Sequence, residues 1–359
     1  MSDEQDKENS VYADLVKCKN KIISDLSKNR IAIVTHRNPD PDGISSAMGF
    51  ARILKTWNPD LYINYLFSGD ISHAQNKTLV NIFDLSMTNI EDVENLNESF
   101  DFFITVDTTA ERSLPDDIPC LYTIDHHRSE TKRAEFTDIR YVGATASIIC
   151  DYLQHEGIKL QENNEEDSSF ATLLLIGIYT DTNDLLSENV ADIDVNAYQV
   201  LMPFVNRKKL QSVMNYPLPS YYFELRSKLD QPENIRVDNG VFVGGIGYMS
   251  PAKRDAIPMM ATERARVEDV NTAFVFGIVG QNLEVSVRSE SVSADVNSIC
   301  QKIFGKQFAG GKMGSAAAMV PLGLFAIDSD SSNEVKYKVW EAVKSLLIDK
   351  IFHVMSGNA

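Results

Sequence analysis

Short apolar runs alternate with stretches of helical spacing through the first half of the chain. IAIVT (31–35), LYINYLF (61–67), FFITV (102–106) and LYTI (121–124) read as strands, because brief runs of β-branched and aromatic residues between polar turns favour extended backbone. Residues 44–57, 145–156 and 168–180 space their apolar positions as helices. Strands that alternate with helices in this way predict a parallel sheet with crossovers on both faces. The first region, 1–190, is therefore expected to be an α/β domain with a doubly wound, mostly parallel sheet. The pattern then changes to amphipathic, polar-rich helical segments, DIDVNAYQVLMPFV and RKKLQSVM, which predict a helical connector over 191–235. From Asn239 a new rhythm begins, with VFVGGIGY, TAFVFGIVG and LEVSVRS as strands and a helix opened by Pro251. The last two strands flank Gly280-Gln281-Asn282, a hairpin signal. A glycine-rich turn and a final amphipathic helix over 335–354 complete a smaller α+β domain, 236–359.

A chain of 359 residues is long enough for two such cores. No apolar run approaches the roughly 20 residues of a membrane span; the longest, 170–179, is half that. The opening MSDEQDKENS lacks the basic and apolar regions of a secretory signal. A cytoplasmic protein without a membrane partner is expected. Cys18, Cys120, Cys150 and Cys300 stand singly, with neither a zinc-ribbon nor a disulfide spacing. Charge changes the picture more. A formal net charge of -17 opposes binding of long duplex nucleic acid, which depends on Lys and Arg neutralising phosphates. An anionic substrate is expected to be small and held by local cations, metal ions among them.

The chemistry-bearing residues cluster directly after apolar segments. His36-Arg37-Asn38-Pro39-Asp40-Pro41-Asp42-Gly43 follows the first strand, Asp107 the third, Asp125-His126-His127 the fourth, and Asp181 the apolar helix LLLIGIYT. Ligands of open parallel sheets bind outside the carboxyl ends of the strands, so these distant residues are expected to converge. Carboxylates sharing one site raise each other's pKa; a pair of divalent ions bridged by one carboxylate resolves the repulsion. The tight Pro- and Gly-containing loop lets His36 and Asp40 face one ion and Asp42 the other, with Asp107 as the bridge. Taken singly, Asp-x-Asp is a turn or a cap for a helix beginning at Ile44, and a His pair is incidental. Taken together, with three of only six histidines in these places, they point to a metal site.

HRNPDPD followed by Asp125-His126-His127 resembles the DHH phosphoesterase superfamily, and Asp107-Thr108-Thr109 and Gly177-Ile178-Tyr179-Thr180-Asp181-Thr182 resemble its other metal motifs in the same order. The C-terminal region is similar to the DHHA1 substrate domain through Val287-Arg288-Ser289 and Ala309-Gly310-Gly311-Lys312. The subgroup most resembled is the short bi-domain one of nanoRNases, 3'-phosphoadenosine-5'-phosphate phosphatases and dinucleotide phosphodiesterases. The resemblance implies His36, Asp40 and Asp107 on a first metal, and Asp42, Asp107, His126 and Asp181 on a second. It implies His127 against the substrate phosphate, Asp125 orienting His126, and substrate contacts from Arg288, Ser289, Gly310, Gly311 and Lys312. Mixed imidazole and carboxylate ligands favour manganese, with cobalt or magnesium as substitutes, and the family expectation is manganese as well. Relatives often form dimers, so a homodimer is expected. Lys312 stands where the family usually carries His, which bears on substrate choice. The stretch is not a P-loop, since position 306 is Lys and Met313 follows Lys312.

The expected activity is metal-dependent hydrolysis of phosphoester bonds in short oligoribonucleotides, linear dinucleotides or 3'-phosphoadenosine-5'-phosphate. The alternatives are an inorganic pyrophosphatase or exopolyphosphatase, and a non-catalytic nucleotide-binding module. Among weaker candidates, Arg112 reads as a surface arginine, Thr145 as a helix N-cap, Arg207-Lys208-Lys209 as a solvated face, and Tyr221 and Tyr222 as packing residues.

Overall fold

The computed structural model describes residues 11–129, 131–291, 294–311, 314–327 and 331–356. The chain divides into two compact units, Met1–Pro217 and Leu218–Ala359.

The first unit runs α1 (Ala13–Ile23), β1 (Arg30–Val34), α2 (Pro41–Trp57), β2 (Tyr62–Phe67), α3 (Ala74–Ile82), β3 (Thr88–Asn89), β4 (Phe102–Val106), β5 (Cys120–Asp125), β6 (Ala134–Ile139), α4 (Thr145–His155), α5 (Glu165–Thr182), α6 (Asp192–Leu201) and α7 (Arg207–Met214). Its sheet has the order β3-β2-β1-β4-β5-β6, and every neighbouring pair is parallel. The doubly wound architecture expected from the sequence is present. The chain leaves β1 outward through β2 and β3, then returns to the other side of β1 and runs outward again, so the order reverses between β1 and β4. That reversal opens a crevice at the strands' carboxyl ends.

β4 and β5 are buried along their whole length, which is why they read as unbroken apolar runs. The edge strand β6, AEFTDI, has only one buried residue and carries no such signal. Helix α2 begins at Pro41, earlier than the expected Ile44. Asp40 is its N-cap, accepting from the Gly43 N–H at 3.0 Å, and proline is preorganised for the first turn. Helix α5 is buried on almost all sides. A Cβ at Gly177 would overlap the Ser45 hydroxyl and lie 3.2 Å from Asp42 Cα, so the glycine lets α5 approach α2 beside the strand ends.

The segment 191–235 holds three α-helices. Ala197 and Leu201 of α6 join the main core, Val213 of α7 packs with Leu173 of α5, and α8 (Ser220–Leu229) places Tyr222, Leu225 and Leu229 in the core of the second unit.

The second unit continues with β7 (Ile235–Asp238), β8 (Val241–Met249), α9 (Ala256–Ala265), β9 (Thr272–Val279), β10 (Asn282–Ser289), α10 (Val296–Phe304), β11 (Ala309–Gly311), β12 (Ser315–Pro321) and α11 (Asn333–Met355). Its sheet, in the order β11-β12-β10-β9-β8-β7, is mixed: β8 and β9 are parallel and the other pairs antiparallel. The expected hairpin closes at Gly280-Gln281, with Gly280 at φ +58, a left-handed conformation that suits the twist of the strands. The stretch expected as a glycine turn is instead the strand β11, in which Ala309, Gly310 and Gly311 pair with Ala318, Ala317 and Ala316. A Cβ at Gly311 would clash with Ala316 Cα, so position 311 requires glycine for β11 to pair this closely with β12.

Candidate metal centre

His36 follows β1, Asp107 follows β4, and Asp125 ends β5 just before His126 and His127, so three adjacent strands deliver side chains to one rim. Asp40 and Asp42 come from the start of α2 and Asp181 from the last turn of α5.

Asp107 stands at the centre. Its Oδ2 lies 3.4 Å from His36 Nε2, and its Oδ1 lies 3.5 Å from His126 Nε2. His36 Nε2 is also 3.5 Å from Asp40 Oδ1. His126 Nε2 is 3.1 Å from Asp181 Oδ2 and 4.0 Å from Asp42 Oδ2. Two groups result, His36/Asp40/Asp107 and Asp42/His126/Asp181, and Asp107 also falls within ligand distance of His126 and His127. The backbone of Asp107 has φ +60, a left-handed conformation that costs a non-glycine residue energy and concentrates at functional sites. The facing position is Gly43, where a Cβ would come within 3.2 Å of Asp107 Oδ2 and of His36 Nε2.

Both imidazoles are oriented from behind. His36 Nδ1 lies 2.9 Å from the Arg37 carbonyl and His126 Nδ1 3.0 Å from the Val142 carbonyl. A carbonyl only accepts, so Nδ1–H donates and Nε2 turns its lone pair toward the carboxylates. His126 Nε2 is buried there without a protein hydrogen bond. A lone pair directed at carboxylates calls for a cation, either a proton or a metal ion, and the imidazole and carboxylate donors fit a divalent ion of the manganese type.

The electrostatics agree. Burial disfavours the charged form of His126, but Asp181, Asp107 and Asp42 outweigh it and push the pKa up to about 10. His36 is raised in the same way, burial being overcome by Asp40 and Asp107. Burial, reinforced by the charge of Asp107, pushes the Asp42 carboxyl well above its ordinary range. Burial raises Asp107 too, against the pull of His36. For Asp40, burial is outweighed by His36, and the pKa falls. Without an ion, the cluster holds itself together with protons.

Asp42 is fully buried and sits at the N-terminus of α4. Its Oδ2 accepts from the Thr145 N–H at 2.7 Å, and its Oδ1 accepts from the Ala146 N–H at 2.8 Å and from Ser46 Oγ at 3.2 Å. Helix amides favour an anion there. Thr145 is therefore not the N-cap expected from the sequence. It is the first residue of α4, following Ala144, and its hydroxyl donates to Asp107 Oδ1 at 2.9 Å.

Asp125 also differs from expectation, because it orients His127 and not His126. Its Oδ1 accepts from the His127 N–H at 3.1 Å and lies 2.9 Å from His127 Nδ1, while its Oδ2 accepts from Ser129 Oγ at 3.1 Å. Burial opposes ionisation of Asp125, but the His127 hydrogen bonds prevail and lower its pKa. His127, partly exposed, is left with Nε2 free of these contacts. The supports that escaped sequence reasoning are the Val142 carbonyl, the Thr145 and Ser129 hydroxyls and the vacant side of Gly43. Of these only Thr145, in the small-residue run Gly143-Ala144-Thr145-Ala146-Ser147 opening a helix, left a sequence signal.

In the second unit, Arg288 and Ser289 end β10, Arg288 pairs with Ser315, and Gly311 pairs with the adjacent Ala316, so these residues share one corner of the sheet. Arg288 donates through Nη1 to Ser286 Oγ and to the Val287 carbonyl, both at 3.0 Å. It makes no ion pair among the described residues, and burial draws its pKa below the usual arginine value. Ser289 Oγ donates to the Asn271 carbonyl at 2.8 Å. Gly310 faces open space. Lys312 lies outside the described residues. Of the weaker candidates, Tyr222 is buried and bonds Glu263, and Lys209 donates to Ser169 Oγ at 2.8 Å.

Residues 30–178 match the DHH family, N-terminal domain. Over 326 residues the chain is 31% identical to an uncharacterized protein of Methanocaldococcus jannaschii, covering 90% of this chain and 64% of that relative. Over 181 residues it is 26% identical to a probable manganese-dependent inorganic pyrophosphatase of Bacillus licheniformis, covering 48% of this chain and 54% of that protein. The chain thus spans less than two thirds of the length of both curated relatives. An exopolyphosphatase-related protein from Bacteroides fragilis shares the fold with a TM-score of 0.67 at 14% identity, over 94% of this chain and 98% of that chain. The likeness to the DHH family, N-terminal domain, thus lies in the segment 30–178.

Proposed function

We propose that this DHH domain is the catalytic part of a metal-dependent hydrolase that cuts phosphoester bonds in small nucleotides: short oligoribonucleotides, linear dinucleotides or 3'-phosphoadenosine-5'-phosphate. The observation that carries the reading is Asp107, whose two carboxylate oxygens face imidazoles of two different groups at 3.4 and 3.5 Å. His36, Asp40 and Asp107 would hold one divalent ion, and Asp42, Asp107, His126 and Asp181 the other, manganese being the expected metal. Such ions supply an acidic water near neutral pH and counter-charge for phosphoryl oxygens. The chain's own side chains do the rest. Asp125 holds the His127 ring through Nδ1, so Nε2 is the atom left to face the substrate, and as an imidazolium the ring would deliver its Nε2 proton to the leaving oxygen and keep the Nδ1 proton on Asp125. Thr145 and the amides of α4 keep Asp107 and Asp42 aimed inward. Arg288, half-buried and without a carboxylate partner among the described residues, is the phosphate contact of the second unit.

The test is a panel of short RNA, linear and cyclic dinucleotides, 3'-phosphoadenosine-5'-phosphate and pyrophosphate, each with manganese and with chelator. Manganese-dependent release of mononucleotide, or of phosphate from the bisphosphorylated adenosine, supports the reading. Turnover confined to pyrophosphate would favour the alternative suggested by the 26% identical relative. Tight nucleotide binding without turnover in manganese would leave a binding module.

A further inference from the structure

A second concavity lies in the first unit and is not accounted for by the metal centre. It is a cavity of about 750 Å³ between the end of α5, α6 and α7. One wall is aromatic: the rings of Tyr179 and Tyr198 lie 6.0 Å apart between centroids, tilted by 31°. Met202 and Met214 add polarizable apolar surface, and Asp184 and Arg207 bring opposite charges to the same cavity. Neither of these two makes an ion pair among the described residues, and both are exposed. The backbone on the Asp184 side is unusual as well. Asn183, Asp184 and Leu185 have φ of +49, +58 and +65, three successive left-handed residues without a glycine, a conformation that is costly for leucine and concentrates at ligand clamps and active sites. This turn begins two residues after Asp181.

We propose that this cavity is a nucleobase-binding site. Its volume is in the range of small-molecule sites. Flat tyrosine and methionine surface suits a π-face of any base, while the polar pair selects by edge. Guanine offers adjacent N1–H and N2–H donors to a carboxylate and O6 and N7 acceptors to a guanidinium. Adenine has no such adjacent donor pair, so guanine is the preferred base. The base belongs either to the substrate itself or to a separate effector nucleotide. The site is distinct from the metal ligands and does not depend on the hydrolase reading.

Calorimetric titration of the full chain in chelator, with guanosine, adenosine, uridine and base-free pyrophosphate as probes, tests the proposal. Guanosine should bind best and pyrophosphate should not compete for it. Tyr198→Ala should weaken guanosine about tenfold, Tyr198→Phe, which keeps the ring against the core, should hold it within about threefold, and Arg207→Gln should erase the preference over adenosine. Failure of every nucleoside to saturate at millimolar concentration, or binding that neither Tyr198→Ala nor Arg207→Gln alters, overturns the site and leaves the metal-dependent activity standing. In the manganese-loaded enzyme, a KM for a guanine dinucleotide raised by Tyr198→Ala with pyrophosphate turnover unaffected assigns the base to the substrate. A change in pyrophosphate turnover on adding guanosine, lost in Tyr198→Ala, assigns it to an effector. Both support the site.

Discussion

The rims of the two sheets make opposite use of the same material. In the first unit, the ends of β1, β4 and β5 and the start of α2 carry ionisable side chains turned inward and held from behind by backbone carbonyls, amides and hydroxyls. In the second, the corner formed by β10, β12 and β11 is built of Gly310, Gly311 and small residues around Arg288. Gathering cations takes many carboxylates in one place. An anion would need open space and a cation that no carboxylate neutralises. The comparison is broken most directly at Asp107. Asp107→Asn should remove the bridge, lower manganese content from about two ions per chain and cut turnover by more than the roughly 10–100-fold that loss of a supporting hydrogen bond causes. Metal analysis beside kcat/KM checks this. Retention of two ions would deny that the side chain is shared.

A second test uses pH. Asp181, Asp107 and Asp42 overcome burial to raise His126 to about 10, so the metal-free protein carries that proton at neutral pH and an incoming ion must displace it. Manganese affinity should rise between pH 6 and 9, by about tenfold per unit for each proton released, with calorimetric heats that depend on the buffer. The sign for stability is the reverse. A raised histidine pKa contributes stability fully present below about 6.5 and lost as pH climbs through about 10. The metal-free melting temperature should therefore fall toward pH 10, and saturating manganese should flatten the fall. The corner at Arg288 shares none of this. Arg288→Ala should leave metal content and the pH dependence of metal uptake unchanged while raising KM for a nucleotide by about tenfold, the scale of a charge-assisted hydrogen bond. A shift in metal affinity would mean that the two rims do not divide the work.

The same contrast explains what was legible in the sequence. β1, β4 and β5 announced themselves because buried parallel strands are continuously apolar, and His36, Asp107 and Asp125-His126-His127 stood out because polar residues directly follow them. β6 was invisible, since AEFTDI is an edge strand with one buried residue, and β11 read as a turn because glycine pairs favour turns until a neighbouring strand claims them. The start of α2 was displaced because Pro41-Asp42-Gly43 reads as a turn, whereas Asp40 caps a helix whose first residue is that proline. Of the six metal-ligand candidates, His36, Asp40, Asp42 and Asp107 were named from residue type and position, and His126 and Asp181 joined them through the family resemblance. Their supports were not named, because a carbonyl such as that of Val142 has no residue type, and the partner of Asp125 is decided by ring orientation.

Thr145 is where side chain and backbone meet in one residue, and it gives the finest test of the comparison. Its N–H donates to Asp42 Oδ2 at 2.7 Å and its hydroxyl to Asp107 Oδ1 at 2.9 Å. Thr145→Val keeps the shape and the amide but deletes the hydroxyl, leaving one oxygen of a buried carboxylate without that donor. Asp42 stays anchored, so helix α4 should remain in place. Manganese affinity should drop about tenfold, at the low end of what outer hydrogen bonds contribute, and Thr145→Ser should restore it. A competitive chelator titration reads both. If the valine variant binds manganese as tightly as the parent, Asp107 is aimed by its left-handed backbone at φ +60 alone, and the metal rim depends on main-chain geometry as much as the glycine corner does.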